Sequence, residues 1–156
     1  MKLKLNREYA MRHLFVTLLM LGLGGWFGYD GFVRYPATPA AELYKSIEGS
    51  EPPEAMTAEA LAAFKDQKTK TQYGFTFLCL LAALIVGTNL YRASAFSFEF
   101  DEAGFVYRGR RRAYSDIKKV DRAQWAKKGI IRVDGITLDA WHHQGVREFV
   151  EKLGSV

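Results

Sequence analysis

Two apolar runs constrain this chain more than anything else in it: Leu14 to Val33 and Tyr73 to Tyr91. A helix rises about 1.5 Å per residue and a bilayer's hydrocarbon core is about 30 Å thick, so roughly 20 apolar residues suffice to cross it. In the first run, LFVTLLMLGLGGWFGYDGFV, the one ionisable group is Asp30, near the end, where headgroup water is within reach. The second, YGFTFLCLLAALIVGTNLY, has no charge. Trp26, Tyr29, Tyr73 and Tyr91 lie toward the run ends, where amphipathic rings favour the interface. The expectation is a two-pass membrane protein.

Lys2, Lys4, Arg7 and Arg12 precede the first run and raise the alternative of a cleaved leader. The apolar stretch exceeds leader length and no small-x-small cleavage site follows promptly, so an uncleaved anchor is expected. Basic residues flank both runs on the same side: those four before the first, and Arg92, Arg108, Arg110, Arg111 and Arg112 after the second. The positive-inside rule therefore puts both termini in the cytoplasm. The intervening residues 34–72 carry five basic and six acidic side chains, with Lys65, Lys68 and Lys70 crowding the second entry. One cysteine allows no disulfide within the chain, so this outer segment must be ordered by other means. TPAAELYKSIEG reads as a short helix with a threonine cap, an early proline and a glycine stop. The stretch from Thr57 has helix formers and no proline, so the second membrane helix is expected to start well outside the membrane.

Small residues form stripes inside the runs. Gly24, Gly28 and Gly31 share one helical face, and Cys79, Ala83 and Gly87, spaced by four, share another. Lipid is as apolar as leucine, so helices in bilayers associate by close packing that small residues permit. The stripes are expected to pack on each other as a hairpin, in which case cysteines at 28 and 83 crosslink within one chain. The rival readings are a homodimer face or contact with a larger complex. Cys79 reads as a packing residue, with no cation nearby to make a thiolate.

Beyond residue 92 the pattern changes to short alternating segments. Phe96, Phe98 and Phe100 alternate with Ser97 and Glu99, as in a half-buried strand. Asp101 to Gly104 is turn chemistry and Phe105 to Arg108 the return strand. Asp134-Gly135 between Gly129–Val133 and Ile136–Ala140 is a strong hairpin signal. AYSDIKKVDRAQW reads as one further strand, bulged because Ile117 and Val120 are three apart. Val146, Phe149, Val150 and Leu153 make a helical stripe in GVREFVEKLG. The fold class is α+β: a two-helix transmembrane hairpin in residues 1–92, with an outer loop over 34–72, then a small antiparallel sheet or partial barrel in 93–156 closed by an amphipathic helix.

The segments FEFDEAGFVYRGRRRAYSDIKKVD, WAKKGI and ITLDAW, followed by that helix, resemble bacterial pleckstrin-homology-like domains attached to membrane hairpins. The resemblance covers about residues 95–153, and the chain is short of strands for the full fold. It implies a binding or scaffolding module at a bacterial inner membrane and no enzyme. The residues that can carry binding are Arg108, Arg110, Arg111 and Arg112, with Lys118 and Lys119, each cation gaining about 1 kcal/mol at an anionic lipid surface. The plain alternative is that they set topology and solubility. The partners expected are the bilayer, anionic headgroups, and either membrane proteins or a second copy. The tether and nine acidic residues in 93–156 argue against nucleic acid.

A catalytic reading lacks a constellation. His142 and His143 are adjacent and diverge on strand or helix, His13 begins the first run, and Asp139 serves as a turn cap as easily as a base. No nucleophile elbow, phosphate-cradling loop or paired-cysteine motif is present, so no catalytic residue, metal or cofactor is assigned. Two functions follow: a membrane-anchored scaffold, or an accessory subunit of a larger membrane assembly.

Overall fold

In the computed structural model, which describes residues 1–154, both apolar runs lie in long helices. The chain divides into two compact units, Phe15–Gly87 and the combination of Met1–Leu14 with Thr88–Val156.

The helical unit is built on α1 (Arg7–Tyr29) and α4 (Ala58–Ser94). A π turn, Asp30–Arg34, and a short helix α2 (Tyr35–Ala37) extend α1, giving a continuous helical run Arg7–Ala37. This run and α4 are each long and apolar enough to cross a membrane. Most of their large apolar side chains are exposed, among them Phe15, Leu18, Trp26, Phe77 and Leu84. Surface of this kind is tolerated where something apolar covers it.

Small residues set the contact between the two helices. A Cβ on Gly24 would lie 3.3 Å from Cys79 Cβ, one on Gly28 3.6 Å from Thr76 Cγ2, and one on Gly31 2.9 Å from the Tyr73 ring. Gly87 faces Thr17 in the same way, at 3.6 Å. Rings complete the seam, Phe27 on Phe75 at 5.2 Å and Phe32 on Tyr73 at 4.5 Å. Ala83 is buried. The helices run antiparallel in a register that sets Gly28 against Thr76, seven positions from Ala83, or about 10 Å along the axis. The expected 28/83 proximity is therefore corrected: stripe spacing identifies a face but not the register. With Cys79 replaced by alanine, Gly28→Cys with Thr76→Cys should form a disulfide under mild oxidant, while Gly28→Cys with Ala83→Cys should not; electrophoretic mobility reads the difference.

Asp30 also departs from expectation. The π turn places it and Gly31 in buried positions, and its carboxylate sits 3.4 Å from Arg34 Nη1, one turn on. Beyond it the segment between the two long helices holds a further helix. Helix α3 (Ala40–Glu48) buries Leu43, stacks Tyr44 on Phe64 at 4.9 Å, and ends at Gly49 in the left-handed conformation. Pro39, not Thr38, occupies its N-cap; the Thr38 hydroxyl bonds back to the Arg34 carbonyl instead. Lys65 Nζ donates to the Pro36 and Thr38 carbonyls, both at 2.8 Å, satisfying acceptors that the end of α2 leaves open.

The second unit holds eight short strands among the described residues: β1 (Lys4–Leu5), β2 (Phe98–Phe100), β3 (Gly104–Tyr107), β4 (Arg110–Ala113), β5 (Val120–Asp121), β6 (Ile130–Val133), β7 (Ile136–Asp139) and β8 (His143–Gln144). They form antiparallel sheets β2-β3-β4 and β5-β6-β7 and the pair β1-β8. A helical turn, α5 (Trp125–Lys128), precedes β6, and α6 (Val146–Gly154) ends the unit. Phe149 of α6 is fully buried among the rings of Phe98, Phe100 and Phe105, with Ile131, Val133 and Leu138 of the other sheet in the same core. The alternation anticipated at Phe98 and Phe100 and the stripe on α6 both point into this core.

The β6–β7 turn follows from its residues. Asp134 and Gly135 both take positive φ, 47° and 82°, the two-residue turn matched to strand twist. Asp134 does more, because its carboxylate accepts from the Lys118 and Lys119 amides at 3.1 and 2.9 Å. That contact, with Asp116 accepting from the Ala113 amide, shapes the 114–119 segment into a 3₁₀ turn (Tyr114–Asp116) and a loop. The single bulged strand expected over AYSDIKKVDRAQW is thus replaced by a turn, the two-residue β5 and α5. Side-chain-to-backbone hydrogen bonds from aspartates outcompete a ladder in this stretch.

The N-terminal residues are built into this unit. The Leu3 amide donates to the Phe98 carbonyl at 2.9 Å and the Phe100 amide to the Met1 carbonyl at 2.7 Å, so Met1–Leu3 continues the β2 edge while Lys4–Leu5 pairs with His143–Gln144. Leu3 is 3 % exposed and part of the core. A boundary drawn at residue 92 leaves these residues out of the unit they complete.

Candidate functional site

Three surface regions of the sheet unit carry chemistry, the first being the basic stretch singled out from sequence. The β3–β4 turn is Arg108-Gly109, both with positive φ, and the following strand is Arg110–Ala113. Among the described residues β4 pairs with β3 alone, so three consecutive arginines occupy a sheet edge, where charge deters further strand pairing. Arg108 lies over the Tyr107 ring at 5.3 Å. Arg111 Nη2 contacts Asp101 at 2.7 Å and Arg112 Nη1 lies 3.5 Å from Asp134. Asp101 also accepts from the Ala103 and Gly104 amides. The Ala103 N–H, and after it the Arg111 guanidinium, hold the Asp101 carboxyl below its ordinary range. Lys118 and Lys119 lie on the loop fastened by Asp134, the carboxylate that Arg112 also approaches, and Lys118 lines a surface recess together with Arg112, Asp116 and Asp134. Asp134 thus joins the Lys118–Lys119 loop to Arg112, Arg111 pairs with Asp101, and Arg108 and Arg110 flank the exposed turn.

The second region is a cavity of about 450 Å³ bounded by Tyr9, His13, Arg92, Asp139, His142 and His143, with Asn89 and Thr137. The Tyr9 ring packs on His13 at 3.9 Å and on His142 at 4.5 Å, and is almost wholly buried. His143 Nε2 donates to the Ala93 carbonyl at 2.9 Å, and Asp139 Oδ2 is 3.7 Å from His142 Nε2. His142 lies in the turn before β8 and is half-buried, whereas His143 begins β8 and is buried; contrary to the expected divergence, both border this cavity, their ring centres 6.2 Å apart. Among the described residues, no three His, Cys, Asp or Glu side chains converge as metal ligands.

Burial pushes the His143 imidazole below its ordinary value of 6.5, with the Ala93 carbonyl opposing and neighbouring His142 adding to the shift. The sign of the linkage follows. Below the unfolded value of about 6.5 the unfolded chain takes up more protons than the folded one, so the stability due to neutral His143 is complete above that pH and is lost as pH falls toward the lowered folded value. Thermal melts of the sheet unit at pH 8 and pH 5.5 should show lower stability in acid. His143→Gln, which keeps a donor for Ala93 and does not titrate, should flatten the difference.

The third region is a groove of about 660 Å³ walled by Trp125 and Trp141. Gly129 and Ala140 make its floor, the Ala140 amide donating to the Gly129 carbonyl at 3.0 Å. A Cβ on Gly129 would stand 3.3 Å from Ala140 Cβ, a tight contact with that side chain. Lys127, Lys128, Arg147 and Glu151 border it. The Trp141 amide donates to Asp139 Oδ1 at 2.7 Å, which fixes the turn bearing the indole. The Arg12 guanidinium lies 5.4 Å from the centre of the Trp141 ring. Sequence reasoning noted both tryptophans but not these cations. The signal was the segment Trp125-Ala126-Lys127-Lys128-Gly129, whereas Arg147 arrives from a helix later in the chain.

Comparison with protein-family models, with curated proteins and with solved structures returned no match.

Proposed function

We propose that this chain is a non-catalytic, two-pass membrane protein that holds a pleckstrin-homology-like binding or scaffold module against the cytoplasmic face of a bacterial inner membrane. The observation that carries the proposal is the N-terminal strand. Met1–Leu5 is hydrogen bonded to Phe98–Phe100 and to His143–Gln144, so the chain departs from the sheet unit at Leu14 and rejoins it at Thr88. A segment that crosses a bilayer and returns to its starting side must cross an even number of times, and two helices of sufficient length lie between. The exposed apolar side chains along both helices suit lipid as their solvent. Two three-stranded antiparallel sheets with a C-terminal helix in their core support the pleckstrin-homology-like assignment.

The module's role is recognition. Its chemistry consists of cations and aromatic faces at the surface, and its buried polar groups, such as His143, are engaged by backbone. Alkaline carbonate extraction tests the anchor: the chain should remain in the membrane pellet, and release into the supernatant would overturn the proposal. Purification in gentle detergent followed by mass analysis separates the scaffold from an accessory subunit. A lone monomer or dimer is expected, and stoichiometric co-purifying membrane proteins would favour the subunit instead.

A further inference from the structure

One deeply placed polar group of the sheet unit is not engaged by backbone. Tyr9 is 2 % exposed, yet its hydroxyl has no hydrogen-bond partner among the described residues. The little surface that Tyr9 keeps includes the hydroxyl oxygen, which opens onto the cavity of about 450 Å³ that the residue borders. A polar group held this deep without a partner is costly and calls for an explanation. Other polar groups around the same cavity share the pattern. Arg92 lies in the last turn of α4 with Asn89 three positions before it, on the same side of the helix, and Thr137 comes from β7. All three border the cavity, and none of their side chains has a hydrogen-bond or ion-pair partner among the described residues. Four unused donors therefore surround one space.

Charge defines what the space complements. With the imidazoles neutral, the cavity wall carries one charge of each sign, the Arg92 guanidinium and the Asp139 carboxylate. Asp139 Oδ1 accepts from the Trp141 amide, but Oδ2 stands 3.7 Å from His142 Nε2, beyond hydrogen-bond length, and is open to a further donor. A ligand with a single charge of either sign would meet a like charge here, whereas a zwitterion meets an opposite charge at each end. Phe96 adds an apolar wall, and the volume falls in the range of small-molecule sites. We infer that this cavity is a binding site for a free amino acid with an apolar side chain. Arg92, Asn89, Thr137 and the Tyr9 hydroxyl donate to its carboxylate, Asp139 accepts from its ammonium, and its side chain lies against Phe96. The inference goes beyond the membrane proposal and does not rest on it, because every residue of the cavity belongs to the sheet unit.

All three histidines of the chain border this cavity, so the imidazole NMR signals of the full chain in an uncharged detergent report on it selectively. L-Phenylalanine and L-leucine should shift them saturably. Phenylalaninamide, which lacks the carboxylate, and phenylpropionate, which lacks the ammonium, should each bind about tenfold more weakly than phenylalanine, a comparison that needs no variant. Arg92 is exposed, so Arg92→Gln should keep the fold while weakening phenylalanine about tenfold and removing its advantage over phenylalaninamide. Asp139→Asn, which retains an acceptor for the Trp141 amide, should remove the advantage over phenylpropionate. Tyr9→Phe should weaken phenylalanine about threefold, and without ligand it should melt no lower than wild type, since no protein hydrogen bond is lost. Imidazole signals that stay in place with both amino acids would overturn the site. Phenylpropionate or phenylalaninamide binding as tightly as phenylalanine would show that only one charge is read and overturn the assignment, as would undiminished binding by the Arg92→Gln chain. A lower melting temperature for ligand-free Tyr9→Phe would reveal a protein partner for the hydroxyl and count against it equally.

Discussion

Phe149→Ala should destabilise the sheet unit by about 3–5 kcal/mol, the cost of deleting a fully buried phenyl ring and leaving its cavity. The estimate sits at the upper end of what one side chain contributes because of where this ring lies. Phe149 is fully buried, edge-on to Phe98 at 5.0 Å and to Phe105 at 6.0 Å, with Phe100 at 5.3 Å and Tyr114 at 6.3 Å. It joins α6 to the β2-β3-β4 sheet, so removing it loosens two elements together. A unit this small has little stability in reserve, and a loss of this size approaches the whole of it. The readout is near-ultraviolet circular dichroism of the full chain in detergent, which follows the packed aromatic rings. Their signal should melt at a much lower temperature than in wild type, while far-ultraviolet helix signal from α1 and α4 persists. A melting temperature within a degree or two of wild type would contradict the assigned core.

The second large effect is at Gly104, the first residue of β3. A Cβ there would lie 2.1 Å from the Arg112 carbonyl oxygen and 3.0 Å from Ala113 Cα. Both are backbone atoms of the paired strand β4, fixed by the register Gly104–Ala113 and Phe105–Arg112, so no side-chain rotation relieves the clash. Gly104→Ala should therefore separate the start of β3 from β4 or shift both, at a cost of about 3 kcal/mol or more. Gly109→Ala is the comparison. Its Cβ would meet nothing within 4 Å, and its φ of 75° costs an alanine only about 1–2 kcal/mol. Thermal melts of the two variants should rank Gly104→Ala well below Gly109→Ala, and the reverse order would refute the packing at the β3–β4 pair.

Much of this architecture is legible in the sequence because its signals are local. The apolar runs read by length, the Asp134-Gly135 hairpin by its turn residues, and α6 by the three- and four-residue spacing of Val146, Phe149 and Val150. What escaped depends on partners distant along the chain. Leu3 and Leu5 alternate with Lys2 and Lys4, a pattern that before an apolar run resembles a charged leader; only pairing with residues near 98 and 143 makes it a strand. β4 is almost entirely arginine and has no apolar alternation, so its strand character comes from the Arg108-Gly109 turn and its register with β3. The segment from Tyr114 to Lys119 is shaped by Asp116 and Asp134 through hydrogen bonds that composition does not reveal.

The candidate site shows the same division. The arginine cluster is conspicuous in sequence, yet Asp101 and Asp134 engage Arg111 and Arg112 from ten and twenty-two positions away. The Trp125–Trp141 groove is assembled from α5, the turn after β7 and α6, with Arg12 of α1 against its outer wall. No window of contiguous sequence contains it.

If the chain crosses a membrane twice, it leaves and rejoins the sheet unit on one side, and sidedness tests that most directly. With Cys79 replaced by alanine, single cysteines at Glu54, in the outer segment, and at Glu102, in the exposed β2–β3 turn, can be challenged with a membrane-impermeant maleimide in intact cells. Glu54→Cys should be labelled at once and Glu102→Cys only after the membrane is permeabilised. Labelling of both positions in intact cells, or protection of both until permeabilisation, would contradict it.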